Sequence, residues 1–430
     1  MKITIDNTTQ SLMKRTQLDN IQKARDCYWS SDIDLAFLNF SDSFEATPRA
    51  WWLAMEAIRC KRASMVHAQG EKLIAYSPDY TNNSYQYSLY SEHKRFNYEI
   101  FPVNRLVIDE ELVKATFSRR LVFHQHWLKD IYWKSLSTEA GITAIERHIG
   151  ILRALKSYGA TICWTLHNLV DHDATPLQKE LNNFALRQMA EVSDHIFIHT
   201  YGAGELLSSQ CGIDLSEKLE LLEHPLYDNL LSPRCYIPEE IKHHEIDGRR
   251  ILLSVGMIRP YKGVPNLIRA FQRVVQTNKE HGLHLIIAGE LNDPEVSETL
   301  NSLDASARSC ISLVARRLEE DELAGLMQLA HVSVTSYKKI LTSGNYFLAT
   351  TFAKPTVAPR KGMFSEIVKD GETGFLYDGS VDELANLLSH ISTLPNTELA
   401  RIGDNALNAN KHLTISEIST RFFSILRAEK

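Results

Sequence analysis

Short apolar runs alternate with longer segments of helical periodicity along most of this chain. In the first half the apolar runs that predict β-strands are Lys72 to Tyr76, Tyr98 to Val103, Arg120 to Phe123, Thr161 to Thr165, His195 to Ile198 and Leu219 to Leu222. The clearest helix is predicted from Glu139 to Ser157, because its isoleucines and leucines recur on one face and Gly159 follows as a stop signal. This alternation predicts a parallel sheet with helices on both faces.

The alternation stops at a proline-punctuated stretch, residues 225–248, and then restarts. The strands predicted after it are Arg250 to Val255, Leu283 to Ala288, Ile311 to Val314 and Val332 to Thr335. A chain of 430 residues exceeds one ordinary core. We therefore predict an α/β protein with two doubly wound parallel-sheet domains, at residues 71–224 and 249–413, joined by a linker at 225–248 and followed by a C-terminal helix within 414–430.

Residues 1–70 do not fit this scheme and are interpreted as an N-terminal extension. They contain an apolar helical stretch, Ala50 to Ile58, that carries Trp51 and Trp52 beside several basic residues. One interpretation is docking to a membrane surface or an acceptor through the two tryptophans. The other is that this helix packs on the sheet, because tryptophan in a helix is more often part of a core.

Charge and cysteine usage narrow the class of protein. The net charge of −6 argues against a nucleic-acid binder, which would be strongly basic. The six cysteines are scattered without a metal-type or redox-type pair, which is typical of reduced thiols in a cytoplasmic protein. No stretch approaches the roughly 20 apolar residues of a membrane span. We expect a cytoplasmic protein, or one that makes peripheral contact with the inner face of the plasma membrane, and we expect neither a metal site nor a cofactor.

The segment Ser254 to Gly263 closes an apolar strand with a glycine turn and then presents two cations. Gly256 lets the backbone approach a ligand closely, while Arg259 and Lys262 supply a planar fork and a point charge that suit a diphosphate. The alternative is an ordinary strand–turn–helix with two solvated cations.

A second turn, Thr342-Ser343-Gly344-Asn345, precedes a predicted helix from Tyr346 to Phe352. Free backbone N–H groups at such a helix start favour an anion. A third turn-rich stretch runs from Gly362 to Glu366 and on to Tyr377.

In order and spacing, these three pieces resemble the C-terminal half of a GT-B nucleotide-sugar glycosyltransferase, closest to family 4, from about Arg250 to about Asp378. The resemblance implies two Rossmann-like domains that face a cleft, a nucleoside-diphosphate sugar as donor, and a last helix that packs back on the first domain. The donor-binding residues that it implies are Gly256, Arg259, Lys262, Thr342, Ser343, Gly344 and Glu366.

Acceptor chemistry is expected where strands of the first domain end. The loop after Thr165 carries His167, Asp171, His172 and Asp173, and the resemblance places a sugar-contacting histidine at His167. The other three are candidates for the acceptor's base or for an acceptor clamp, although Asp173 could instead cap the following helix. Asn83 and His126 are further acceptor-side candidates, and His124 and His126 could instead be satisfied core groups.

One departure from family 4 affects the mechanism. Retaining members carry a Glu-x7-Glu pair, and alignment on Lys354-Pro355 puts Ile340 and Leu348 at those positions. The resemblance to family 4 therefore does not predict whether the anomeric configuration of the sugar is retained or inverted. The cluster Asp171, His172 and Asp173 could supply the base that an inverting displacement needs, so we favour inversion over retention. We also find no Asp-x-Asp element in a loop placed to hold a divalent ion on the diphosphate.

The sequence thus predicts a bacterial-type transferase that moves a hexose from a nucleotide sugar to a lipid-linked or oligosaccharide acceptor in surface polysaccharide assembly. The alternatives are a retaining family 4-type transferase, a GT-B sugar-nucleotide epimerase, and an inactive scaffold that binds nucleotide sugar.

Overall fold

A computed structural model describes residues 72–80, 83–103, 121–171, 174–230, 235–242 and 246–428. Predictions on the extension 1–70, with Trp51 and Trp52, and on His172 and Asp173 lie outside these residues. The chain divides into two compact units. The first takes the described residues up to Thr165, with Glu180–Phe197 and Ser216–Lys218, and the second takes Leu166–Lys179, Ile198–Leu215 and the described residues from Leu219 onward.

The first sheet is parallel and six-stranded, with the order β2-β1-β3-β4-β5-β6. Its strands are β1 Lys72–Ser77, β2 Tyr98–Pro102, β3 Leu121–Gln125, β4 Thr161–Thr165, β5 His195–Ile198 and β6 Leu219–Leu221. The helices along this part of the chain are α1 Ser84–Leu89, α2 Lys129–Tyr132, α3 Thr138–Ser157, α4 Pro176–Val192 and α5 Tyr201–Cys211. All six predicted strands are confirmed, with ends that move by one or two residues.

Helix α3 shows how the sequence sets these elements. Ser137 caps it, because its side chain accepts a hydrogen bond from the Ala140 N–H at 3.2 Å. The predicted apolar face is buried at Ile145, Ile149 and Leu152. The chain leaves the helix through Gly159, whose φ of +92° suits a residue without Cβ.

The second sheet is also parallel and six-stranded, with the order β12-β11-β10-β7-β8-β9. Its strands are β7 Arg250–Val255, β8 Leu283–Ala288, β9 Ile311–Val314, β10 Val332–Val334, β11 Thr356–Pro359 and β12 Phe375–Tyr377. The helices are α6 Val264–Thr277, α7 Pro294–Asn301, α8 Ala305–Arg308, α9 Glu320–Leu329, α10 Gly344–Thr351, α11 Phe364–Ile367, α12 Val381–Thr393, α13 Asn396–Asn410 and α14 Ile415–Ala428. The short β12 lies in the stretch that was predicted only as turn-rich.

Strand β7 lies between two apolar layers, which is what a doubly wound sheet requires. On one side Leu252 belongs to a core cluster with Phe271 of α6 and Leu388 of α12. On the other side Leu253 clusters with Leu326 of α9 and Leu348 of α10. The predicted fold class, α/β with two parallel-sheet domains of the Rossmann-like type, is confirmed.

The C-terminal helix α14 begins and ends close to where the sequence predicts it. The backbone of Leu226 donates to the Leu413 carbonyl at 2.7 Å, and Arg421 pairs with Glu223 at 2.7 Å. The helix is therefore fastened to residues 221–228 within the second unit. Its packing on the first domain, like the predicted domain boundaries, stays a prediction. Within the described ranges, no helix combines the length and apolar character needed to cross a membrane.

Candidate active site

The predicted phosphate grip is built on the turn after β7. Gly256 has φ of +95°, a conformation that strains any residue with a Cβ, and a Cβ here would also displace Lys262 Nζ, which would lie 2.9 Å away. Lys262 Nζ reaches back to the Val255 carbonyl at 3.5 Å and lies 5.9 Å from the centre of the Tyr337 ring. The lysine is thus folded onto the end of the strand.

Arg259 precedes the short 3-10 turn Pro260–Lys262 with an extended backbone, φ −126°. Its Nε lies 2.9 Å from the sulfur of Met257. Burial, with a smaller contribution from the nearby Arg259 charge, lowers the pKa of Lys262 to about 8. The two cations therefore lie close enough to repel each other, an arrangement that an anion between them would relieve.

Nucleotide binding should change the protonation of Lys262. Lys262 is charged below a pH of about 8 and loses its proton above it. Because a diphosphate favours the charged form, binding should raise this pKa and take up a proton from solution. One unit above the free-protein pKa, isothermal titration calorimetry of nucleotide binding in buffers of different ionisation enthalpy should show proton uptake. Lys262→Arg, which stays charged, should show none; equal uptake in both proteins would contradict the assignment.

The second predicted donor element, the turn before α10, converges on the same place. Asn345 Nδ2 donates to the Val255 carbonyl at 2.6 Å, the oxygen that Lys262 also approaches. Ser343 is the N-cap residue of α10 but makes no side-chain cap bond; its hydroxyl instead lies 3.2 Å from the Tyr337 hydroxyl. Thr342 Oγ1 is buried and finds no hydrogen-bond partner in the described part of the chain. The first N–H groups of α10 are therefore left for a ligand.

Gly344, the first residue of α10, lies against two side chains that sequence reasoning missed. A Cβ on Gly344 would lie 2.5 Å from the Tyr227 hydroxyl and 3.7 Å from His224 Nε2. His224 stacks on Phe347 with ring centres 4.9 Å apart. Tyr227 and His224 thus pack against the start of the helix that was predicted to bind the donor.

A row of histidine rings connects His167 to this helix inside the second unit. The ring centres of His167 and His199 lie 5.7 Å apart, and those of His199 and His224 lie 5.8 Å apart. Burial lowers the pKa of His199 to about 4 and, with help from His199, that of His224 to about 3. Both inner rings are therefore neutral near pH 7 and act as packing and hydrogen-bonding groups.

Glu366 already has partners. Its two carboxylate oxygens accept hydrogen bonds from the backbone N–H groups of Tyr201 at 2.9 Å and Gly202 at 3.0 Å, at the start of α5. The helix dipole favours a carboxylate at that position. Donor contact by Glu366 stays a prediction, while the structure gives it a helix-capping role.

The two positions where family 4 carries its glutamate pair are apolar and structural. Leu348 is 4% exposed and packs in the core beside β7. The Ile340 carbonyl lies 2.3 Å from the place that a Cβ on Gly362 would take, so this backbone is packed tightly against the neighbouring turn. A leucine in the core cannot contact a sugar hydroxyl as a carboxylate does, so these two positions cannot make the contacts that the glutamate pair of family 4 is expected to make.

The acceptor-side candidates differ in how far they are exposed and in whether they already have hydrogen-bond partners. The side chain of Asn83 caps α1 by accepting from the Tyr85 N–H at 3.0 Å. His126 is 1% exposed, and its Nε2 lies 2.9 Å from the Tyr90 hydroxyl, which also lies 2.7 Å from Nδ1 of the buried His124. This geometry favours the alternative in which both histidines are satisfied core groups. Asp171 is partly exposed, and its carbonyl accepts from the Ala174 N–H at 3.2 Å.

Among the described residues, no group of three or more His, Cys, Asp and Glu side chains is placed to share a metal ion. The cationic charges at the end of β7, Arg259 and Lys262, are the groups there that can oppose a diphosphate.

Comparisons with known proteins identify the family and the fold of this chain. The profile of the family described as glycosyl transferases group 1 matches residues 237–409. The GDP-mannose:glycolipid 4-beta-D-mannosyltransferase of Xanthomonas campestris pv. campestris is 31% identical over 289 residues, which are 66% of this chain and 74% of that protein.

Solved structures show the same fold at low sequence identity. Anabaena Alr3699/HepE, crystallised in complex with UDP, superposes with a TM-score of 0.60 at 14% identity and covers 84% of this chain and 100% of its own. The UDP-forming alpha,alpha-trehalose-phosphate synthase of Burkholderia vietnamiensis gives a TM-score of 0.61 at 10% identity with the same coverage. The Xanthomonas relative and the family profile show that this chain is a glycosyltransferase that belongs to the group 1 family, and the solved structures show that it has the GT-B fold.

Proposed function

We propose that this enzyme transfers a hexose from a nucleoside-diphosphate sugar to a lipid-linked acceptor in the assembly of a surface polysaccharide. The observation that carries the donor half is the convergence of Lys262 and Asn345 on the Val255 carbonyl, next to the uncapped start of α10. Cations and free N–H groups recognise a diphosphate and stabilise it as it leaves. The acceptor half is supported by the glycolipid named for the Xanthomonas relative.

We propose inversion at the anomeric carbon. The relative is named for a β-linked product, and a β product from an α-linked donor requires inversion. The apolar Ile340 and Leu348 also replace the carboxylates that retaining family 4 enzymes are expected to carry. Inversion by direct displacement needs a base for the acceptor hydroxyl. In this proposal His167 contacts the donor sugar, and the loop with Asp171, His172 and Asp173 clamps the acceptor.

A donor screen followed by a transfer assay tests the proposal. Thermal shift of the purified protein with GDP-mannose, UDP-glucose and ADP-glucose should single out one nucleotide, with GDP-mannose the first candidate from the relative's name. The stabilising donor should then be consumed with long-chain alkyl glycosides and yield a glycoside of inverted configuration by NMR. Epimerised donor without acceptor would instead show an isomerase, and binding without turnover on any acceptor would show a scaffold.

Metal dependence gives a second test. Arg259, Lys262 and the start of α10 supply the positive charge that a metal supplies elsewhere, so transfer should persist in excess EDTA. Initial rates before and after chelation, with donor and acceptor saturating, measure this. Complete loss that Mg²⁺ or Mn²⁺ restores would contradict it.

A further inference from the structure

Asp79 lies in the turn after β1. This strand is an interior strand of the first sheet and lies between β2 and β3. Ligands of open parallel sheets bind outside the carboxyl ends of the strands, which is where this turn is. On the basis of the inverting function proposed above, we propose that Asp79 is the general base that accepts the proton of the acceptor hydroxyl. Sequence reasoning passed over this residue, because a lone aspartate after Pro78 matches no motif.

The backbone on both sides of Asp79 is firmly held. The carbonyl of Ser77 accepts from the His126 N–H at 2.7 Å and from Gln125 Nε2 at 3.1 Å. The buried Gln86 of α1 bridges the rest of the turn: its Nε2 donates to the Pro78 carbonyl at 2.8 Å, and its Oε1 accepts from the Tyr80 N–H at 3.0 Å. A catalytic group needs a fixed position of this kind.

The Asp79 carboxylate is itself oriented. The hydroxyl of the buried Tyr76 donates to Oδ1 at 3.3 Å, and the Tyr76 ring packs on Tyr90 with centres 5.0 Å apart. Asp79 remains partly exposed, so a substrate can reach it. A base that a third group orients is the arrangement found in activated nucleophile sites.

The surroundings of Asp79 suit proton acceptance. Partial burial raises its pKa, and the weaker effect of the Tyr76 hydrogen bond lowers it. Among the described residues, the phenols of Tyr76, Tyr87 and Tyr90 interact electrostatically with Asp79, and their pKa values are all raised. They stay neutral at working pH, so no neighbouring phenolate charge opposes the carboxylate. A carboxylate with an elevated pKa is a stronger base than an ordinary surface aspartate.

Other titratable groups described at the carboxyl ends of the strands of the first sheet are less suited than Asp79 to act as the acceptor's base. His124 and His126 are buried, and both are already bonded to Tyr90, with His124 also bonded to Thr165 at 2.8 Å. Asp130 is exposed and accepts from the Tyr80 hydroxyl at 3.0 Å. Asp130 is therefore the matched control for Asp79, because it lies on the same edge and bonds to a tyrosine in the same way.

An Asp79 oxygen takes the acceptor's hydroxyl proton while that hydroxyl oxygen bonds to the anomeric carbon. The bond from the anomeric carbon to the diphosphate breaks, and its electron pair leaves with the phosphate oxygen. The proton on Asp79 then passes to solvent, which restores the carboxylate.

Asp79→Asn tests this role in the full-length enzyme, assayed with GDP-mannose and alkyl glycosides. Loss of a general base costs about 10²- to 10⁴-fold in rate, so kcat for transfer should fall on that scale. The Kd for GDP-mannose and the melting temperature should match wild type, which shows that the variant is folded. Asp79→Glu should recover part of the rate, and Asp130→Asn should stay close to wild type.

A pH profile separates a base from a structural role. The acidic limb of kcat/KM should report the Asp79 carboxylate and lie above the range of an ordinary aspartate. Because the Tyr76 hydrogen bond lowers this pKa, Tyr76→Phe should move the limb to higher pH. A role confined to packing would leave the limb in place.

If wild type transfers and Asp79→Asn matches Asp130→Asn, or if Asp171→Ala alone shows the severe loss, Asp79 is not the base and the function stands. If wild type transfers from none of the three donors, the proposed function fails and this assignment falls with it. A severe and selective loss in Asp79→Asn, with a shifted limb in Tyr76→Phe, supports both.

Discussion

Lys262→Ala should lower kcat/KM for sugar transfer by about 10- to 100-fold or more, because a charge-assisted contact contributes roughly 1.5–3 kcal/mol. The lysine lies at the end of β7, with its Nζ near the Val255 carbonyl and beside Gly256. At neutral pH it is mainly charged despite its lowered pKa of about 8. It can therefore oppose the diphosphate in the bound donor and the charge that develops on it as it leaves. Initial-rate kinetics with the donor found by thermal shift measure the effect.

Two variants control for packing and for bulk charge. Lys262→Met keeps the apolar stem and removes only the charge, so it should lose nearly as much activity as the alanine variant. Lys279→Ala removes an exposed lysine after α6 and should behave as wild type. Wild-type kinetics in Lys262→Met, with the fold intact, would end the assignment of Lys262 to the donor.

The periodicity of apolar residues in the sequence predicts most of the strands and helices of the fold. Strands such as β8 are continuous apolar runs bounded by turns, and α3 has a wide apolar face between Ser137 and Gly159, so a local pattern suffices for both. Strand β12 escaped prediction because three residues between Gly374 and Asp378 are too few to show a period. Its pairing partner β11 supplies the missing information, and that contact is not local in sequence.

The candidate site also has features that a local sequence pattern reveals and features that only the folded structure reveals. Gly256, Lys262 and the turn before α10 are visible in sequence, since glycines and cations at a strand end have a local physical meaning. What holds them together is not visible: Asn345 bonds to a carbonyl 90 positions earlier, and Tyr227 packs on Gly344 across the fold. Burial is also a tertiary property, so the sequence does not show that His126 is buried against the Tyr90 hydroxyl.

Gly344→Ala should weaken donor binding, because the added methyl group would lie 2.5 Å from the Tyr227 hydroxyl oxygen. Overpacking of this kind costs about 1–3 kcal/mol, and the strain acts on the first turn of α10, whose N–H groups we propose bind the diphosphate. If all of it reaches the donor site, Kd rises by roughly 5- to 150-fold. Calorimetric titration with the nucleotide donor measures the change, and thermal melting shows how much of the strain goes into stability.

Tyr227→Phe provides the matched rescue. Without the hydroxyl, the next atoms near the added methyl are the Tyr227 ring carbon at 3.6 Å and His224 Nε2 at 3.7 Å, both at ordinary contact distance. The Gly344→Ala, Tyr227→Phe double variant should therefore bind the donor more tightly than Gly344→Ala alone, with a coupling energy that a double-mutant cycle isolates. Additive effects of the two substitutions would mean that the alanine acts on the helix backbone and not through Tyr227. Unchanged donor affinity in Gly344→Ala would contradict this prediction, and a lowered melting temperature in the same variant would show that the strain goes into the stability of the fold.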